Sequence, residues 1–445
     1  MSPRLKADVA PRPRTPQLSQ RPSTVAILGL AVFLTVGCFD QVTAPDTESD
    51  GRVTVINDDD VLAERLTYTD EEILIDPPAP AELNGSAVAM TDGPALAPSA
   101  VDLTLIAQLD PPTVNGEVVQ ATSISRRNNN GFLVSYNARG DAFLGGIDYI
   151  REWQGRFPRV RSSVRFGDAD VSAVALSGSA VYAAVGTNDV TYATPASVER
   201  LRVSDSRMRL AENSRQDLSS FTATSVQVTD DAVYVTTGDD GALYALDPGT
   251  LAVLGRYALD DARWVEYDEE GDRIVVVQGT PGRISIFEAG AFPGGSMVLL
   301  DSFTFPGADV PESKSAMDIA GGKAFIAAGP SGVQVMCLDD GQIVGSVPRP
   351  DPDALGLDPS VVVTNAVTVD DDLMFISNGE AGVYVAAGAE EWDDTDCDEP
   401  QSINVLGQLR FSDLQSANHV DYRRGYLFVA AGLGGVKVVE VDITP

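Results

Sequence analysis

The stretch YLFVAAGLGGVKVVEVD, Tyr426–Asp442, decides the fold. An apolar strand runs into a glycine-rich turn, and a second apolar strand runs out of it. The second strand lies close to the last residue, with no cap behind it. An apolar strand bare at a sheet edge pairs with other chains, so another part of the sequence should cover it.

The same pattern recurs. Clear copies are AVYVTTGDDGALYAL (Ala232–Leu246), KAFIAAGPSGVQVM (Lys323–Met336) and LMFISNGEAGVYVA (Leu373–Ala386). Weaker ones are FLVSYNARGDAFL (Phe132–Leu144), AVYAAVGTNDVTYA (Ala180–Ala193) and RIVVVQGTPGRISI (Arg273–Ile286). The first turn glycine marks each copy: Gly186, Gly238, Gly279, Gly329, Gly379 and Gly432, with Asn137 in its place in the first. Both residue types suit a positive φ. The markers are 41 to 53 residues apart. Each has an apolar segment upstream (ATSVQVTDD, AMDIAGG, NAVTVDDD) and another downstream (AVLGRYAL, QIVGSVPR, NVLGQLRF). One unit is therefore four short antiparallel strands, the size of a propeller blade.

Seven copies predict an all-β, seven-bladed β-propeller over 101–445. The last copy lacks its fourth strand. DLTLIAQLDPP, Asp102–Pro112, parallels the fourth strand INVLGQLRFSD (Ile403–Asp413) and precedes the first copy. It is predicted to complete the last blade, which closes the ring and covers the bare edge.

The chain has 445 residues, 44% hydrophobic, with a formal net charge of −34. Met1–Gly37 holds five basic residues and one acidic, so the remainder carries −38. Such a body repels nucleic acid. Arg4, Lys6, Arg12, Arg14 and Arg21 precede an apolar run of 14 residues that ends just before Cys38. The run is shorter than the ~20 residues of a membrane helix and suits a signal peptide. Segment 1–37 resembles a bacterial lipoprotein signal, which implies export, acylation of Cys38, and anchoring at the outer membrane or cell surface. Thr35 stands where that signal usually has leucine; Leu34 is one place earlier. Residues 38–100 are acidic and Pro-rich and are predicted to form a disordered tether, with RVTVI and EEILI as transient strands. As a flexible coil this tether would span about 40–50 Å.

The pattern GGVKVVEVD at Gly434–Asp442, with GVQVM at Gly332 and GVYVA at Gly382, resembles the LVIVD-repeat β-propellers of bacterial and archaeal surface proteins. The resemblance implies a secreted propeller and no catalytic residues. The segment Gly241–Tyr257 is similar to quinoprotein-like repeats, but Trp153, Trp264 and Trp392 do not recur at one place in the blades.

Candidate site residues follow from the repeat. Fourteen residues before the markers stand Ser123, Ser172, Thr224, Val265, Ser315, Asn365 and Asn418. Six are small and polar, and the start of an innermost strand faces the central channel. They form a candidate ligand ring, with His419, the single histidine, beside it. A catalytic triad or multi-histidine metal site would rest on His419 alone. Cys337 and Cys397 sit in adjacent blades of an exported chain and are predicted to pair. Asp394, Asp396 and Asp398 alternate like the start of a calcium loop, but Glu399 and Val405 stand where glycine and glutamate belong. Calcium is therefore a weak expectation, and no other cofactor or metal is predicted. Arginines cluster in 151–166 and 200–210 and would suit an acidic protein or glycan partner. The reading is a non-catalytic binding or scaffold module, with a hydrolase or lyase using channel carboxylates as the alternative.

Overall fold

Each sequence repeat becomes one antiparallel sheet. The computed structural model describes residues 47–78, 101–127, 131–153, 156–188, 190–212, 214–308, 310, 313–411 and 415–443. The blades span 120–166, 169–217, 225–258, 262–304, 317–347, 366–409 and 419–443, and are numbered 1 to 7 in that order. The first strand of each blade is innermost: the first strands pack on one another in sequence order, and His419–Arg423 of blade 7 returns to Gln120–Arg127 of blade 1. The ring is closed.

Closure uses the predicted strand. Val101–Leu109 pairs antiparallel with Val436–Ile443, with Leu105 opposite Val439 and Leu103 opposite Val441. Every second residue of Val101–Leu109 is buried, so its alternating pattern serves one packed face.

The marker glycines act in two ways. In blades 5 and 6, Gly329 and Gly379 have φ of 57° and 61°. Each exchanges backbone hydrogen bonds with the start of the next blade, Gly329 with Thr364 and Gly379 with Ala417. Gly432, φ 57°, accepts from Ala121 N and links blade 7 to blade 1. Gly186 and Gly279 lack positive φ; they are glycine because of crowding. A Cβ at Gly279 would lie 1.9 Å from the Arg263 guanidinium carbon, and one at Gly186 2.6 Å from Thr222 Oγ1. Asn137 ends its strand without a positive φ, so the reason given for it from sequence is corrected.

The tether reading is corrected over 47–76. Val53–Ile56 adds a fifth strand to blade 1 beside 163–166, and Thr47–Ser49 a sixth. Leu66–Ile73 adds a fifth strand to blade 7 on Val101–Leu109. A short helix, Asp59–Ala63, joins them, capped by the Asp58 carboxylate. The segment is thus a strap across the outer edges of the two blades that close the ring. Its own Val53, Val55 and Leu62 are buried against the blades. Asn57 accepts from Ser162 Oγ at 2.7 Å and donates to Met208 O at 3.2 Å, stitching blades 1 and 2. Residues 1–46, with the signal and Cys38, and 79–100 lie outside the described residues.

The strap also meets the arginine clusters. Arg161 and Arg207 both bind Asp59, each at 3.0 Å. From the strap, Arg52 binds Asp168 and Glu199, and Arg65 binds Asp148 at 2.6 Å. Two arginines of the clusters, Arg161 and Arg207, are thus held by Asp59 of the chain's own N-terminal segment.

Blades 5 and 6 are clasped. Cys337 and Cys397 form a disulfide across 60 residues of sequence. The insertion carrying Cys397 also buries Trp392, whose indole donates to Leu373 O at 3.0 Å and packs edge-on against Phe325. Lys323 Nζ donates to Thr395 O at 2.7 Å. Asp394, Asp396 and Asp398 are exposed on this insertion. Among the described residues no three His, Cys, Asp or Glu side chains come together to hold a metal ion, and no helix is long and apolar enough to cross a membrane.

Candidate binding site at the channel

The inner strands surround a channel that is blocked at its waist. Trp264 of blade 4 and His419 of blade 7 meet across it, ring centroids 5.3 Å apart. Lys314, before blade 5, reaches over to blades 1 and 2, where Nζ donates to Thr122 O at 2.8 Å and Ser172 O at 3.2 Å. Burial lowers its pKa to about 7. Burial, then the Lys314 charge, depresses His419 to about 3, so the imidazole stays neutral. Its Nδ1 has no hydrogen-bond partner among the described residues. A catalytic histidine needs a group to orient it; this one packs.

On the marker-glycine side of the waist lies the mouth, with two lobes. One, about 460 Å³, is lined by Asn365, Asn418, Gln120, Arg139 and the turns at Gly379 and Gly432. The other, about 540 Å³, is lined by Ser172, Thr224, Asn137, Phe221, Arg263 and Lys314 among others. The candidate ring is therefore only partly at the surface. Ser172, Thr224, Asn365 and Asn418 line the mouth. Ser123 is buried and bonds Ser135 Oγ at 2.7 Å, and Ser315 is buried with Arg263 Nη1 3.4 Å from its hydroxyl. His419 lies behind the ring.

The apolar exception, Val265, has a geometric cause. The inner strand of blade 4 carries a register shift between Ala262 and Trp264, and its hairpin is longer. Counting fourteen back from the marker stops two residues short there, and Arg263 takes the mouth position. Its guanidinium is clamped by Asp261 and donates to Val310 O at 2.9 Å.

The opposite end of the channel holds an acidic cavity of about 620 Å³, which the sequence did not single out. Glu266, Asp318 and Asp421 face it from blades 4, 5 and 7. Gln227 Nε2 and Trp264 Nε1 donate to the Glu266 carboxylate. Asp318 accepts from Val369 N and Ile319 N, both at 2.9 Å. Asp421 pairs with Arg126 at 2.6 Å. Burial, and next the Asp318 charge, raises Glu266 to about 8; burial, and less strongly Asp421, raises Asp318 to about 6. One signal was available: Gln227, Asp318, Thr368 and Asp421 all stand eleven residues before their markers.

A raised carboxyl pKa makes the folded state hold a proton that the unfolded state has lost. Stability then falls as pH rises from about 4.5 to about 8 on account of Glu266. Glu266→Gln is expected to leave the melting temperature unchanged near pH 4 and raise it at pH 8. Equal shifts at both pH values, in calorimetry, would reject a proton on Glu266.

No family model matches the sequence, and no curated protein matches it. Solved structures are similar at low identity. The WD40 β-propeller domain of Doa1 is 8% identical with a TM-score of 0.47, covering 75% of this chain and 96% of that one. BamB from Moraxella catarrhalis is 12% identical, TM-score 0.44, covering 84% and 97%. The computationally designed Ika8 protein is 12% identical, TM-score 0.41, covering 75% and 99%. The seven-bladed architecture of this chain stands on its own strand order.

Proposed function

We propose that this chain is an exported, lipid-anchored β-propeller of the cell surface or outer membrane, of the LVIVD-repeat kind, that binds a protein or glycan without chemistry. The observation that carries binding is the mouth: a blocked-bottom depression lined by small polar groups from several blades, with a neutral, packed histidine beneath. Cavities with a few placed polar groups are the usual form of a ligand site. Anchoring rests on the signal-like segment and Cys38. With Cys38 acylated, residues 39–46 allow the first strap strand a reach of at most about 30 Å from the membrane, less than the full coil read from sequence.

The test is capture of a partner from an outer-membrane extract by the intact chain, beside Asn365→Ala and Asn418→Ala. Capture should fall about tenfold in each variant, as loss of a hydrogen bond to a ligand predicts. Undiminished capture by both removes the mouth as the site.

A second reading, a hydrolase or lyase, is supported by Glu266 and Asp318, whose raised pKa values leave them able to carry protons near neutrality. Turnover of a lactone, glycan or phosphoester that Glu266→Gln abolishes would favour it; no turnover of any of them rejects it.

A further inference from the structure

Phe221 is 58% exposed, at the rim of the larger mouth lobe. It sits on a loop anchored on both sides of it. Ser219 N and Oγ both bond Tyr244 Oη, at 3.1 and 2.6 Å. Ser220, at φ 96°, donates to Asp239 O at 2.7 Å. Thr222 fills the space that a side chain at Gly186 would take. Thr224 Oγ1 lies 2.9 Å from Thr236 Oγ1 and donates to Ala262 O at 2.8 Å. The ring itself packs over the turn at Gly238, whose Cβ would lie 3.4 Å from it. Other apolar side chains, Phe157 and Tyr68 among them, are also exposed; what sets Phe221 apart is its place at the rim of a cavity lined by polar groups, where an aromatic face on an anchored loop costs little entropy to use as a contact.

The surroundings narrow the ligand. Asp239 and Asp260 stand exposed at the same rim, Asp261 is neutralised by Arg263, and the Lys314 ammonium, at the floor, is already bonded to Thr122 O and Ser172 O and has its charge disfavoured by burial. Anionic ligands would be repelled by the first two. The walls offer hydroxyl and amide groups, at Asn137, Ser172 and Thr224, too polar for a wholly apolar guest. A molecule with one apolar face and a girdle of hydroxyls satisfies both.

We propose that this lobe is a subsite for an uncharged glycan, with one sugar ring stacked on Phe221 and its hydroxyls bonded to Asp239 and Asp260. The proposal rests on the binding reading above and names its ligand class.

The test is calorimetric titration of the intact chain with the neutral hexasaccharides of cellulose, starch, chitin and mannan, and with a hexagalacturonate as the charged comparator. At least one neutral hexamer should bind with a Kd below about 1 mM, and Phe221→Ala should weaken it about tenfold. Phe221→Trp should restore binding, and the galacturonate should not bind. Because Phe221 is exposed, its loss should leave the melting temperature in place. No binding of any neutral hexamer, or equal binding by wild type and Phe221→Ala, overturns the proposal. If the sugars fail but capture from the membrane extract still depends on Asn365, the glycan assignment falls and the binding reading stands. If both fail, both are wrong.

Discussion

A chain that begins at Val101, where the repeats begin, is expected to be insoluble or to lose cooperative unfolding. The strap it lacks buries Val53, Val55 and Leu62 against blades 1 and 2, at about 1.5–3 kcal/mol each. It also supplies the partner of Asp148. That carboxylate is fully buried and paired with Arg65, which further donates to Asp110 O at 2.8 and 2.9 Å. Removing one partner of a buried pair costs about 3–5 kcal/mol. The sum consumes most of the 5–15 kcal/mol that holds an ordinary domain together. The loss also bares the edges of 163–166 and Val101–Leu109 to other chains. Expression of residues 101–445 beside 47–445, compared by sedimentation and thermal melting, checks this. Arg65→Ala in the longer chain isolates the buried pair, with a loss of about 3–5 kcal/mol. Wild-type melting of the shorter chain would show that the strap is an ornament.

The second large effect is expected at the clasp. Cys337→Ala with Cys397→Ala opens a loop of 60 residues, and chain-entropy reasoning gives a loss of about 4 kcal/mol. Reductant should lower the melting temperature of the wild type to that of the double variant and leave the variant unchanged. The clasp is not only covalent, since Trp392 and Lys323 tie the same insertion down. Blade 6 should therefore stay folded at moderate temperature in the reduced protein. A wild-type melting curve indifferent to reductant would contradict the assignment.

The blades were legible because each repeats a signal that local physics enforces: apolar strand, glycine turn, apolar strand. Closure was legible because blade 7 lacked a strand that the segment at Leu105 could supply. The strap was not, for RVTVI and EEILI are short, sit among acids and prolines, and carry no glycine marker. What makes them strands is tertiary: Arg52 and Arg65 find Asp168, Glu199 and Asp148 far along the chain. The site was half legible. Asn365, Asn418, Ser172 and Thr224 were placed by counting; Ser123, Ser315 and Val265 were misplaced, the last because a bulge and a longer hairpin break a fixed offset. The meeting of Trp264 with His419 was beyond reach, because the two lie on opposite sides of the ring and no periodicity couples them.

The pairing of Leu103 with Val441 sets the order of assembly. Contacts so distant in sequence carry a high loop-closure entropy and form late. A nascent chain can stack its middle sheets while still being synthesised, but the circle stays open until its final residues emerge. Throughout that interval two raw sheet borders are exposed. Maturation should accordingly end in a slow, single closing step, and crowding or truncation at that moment should divert the protein into head-to-tail multimers in place of the circle closed within one chain.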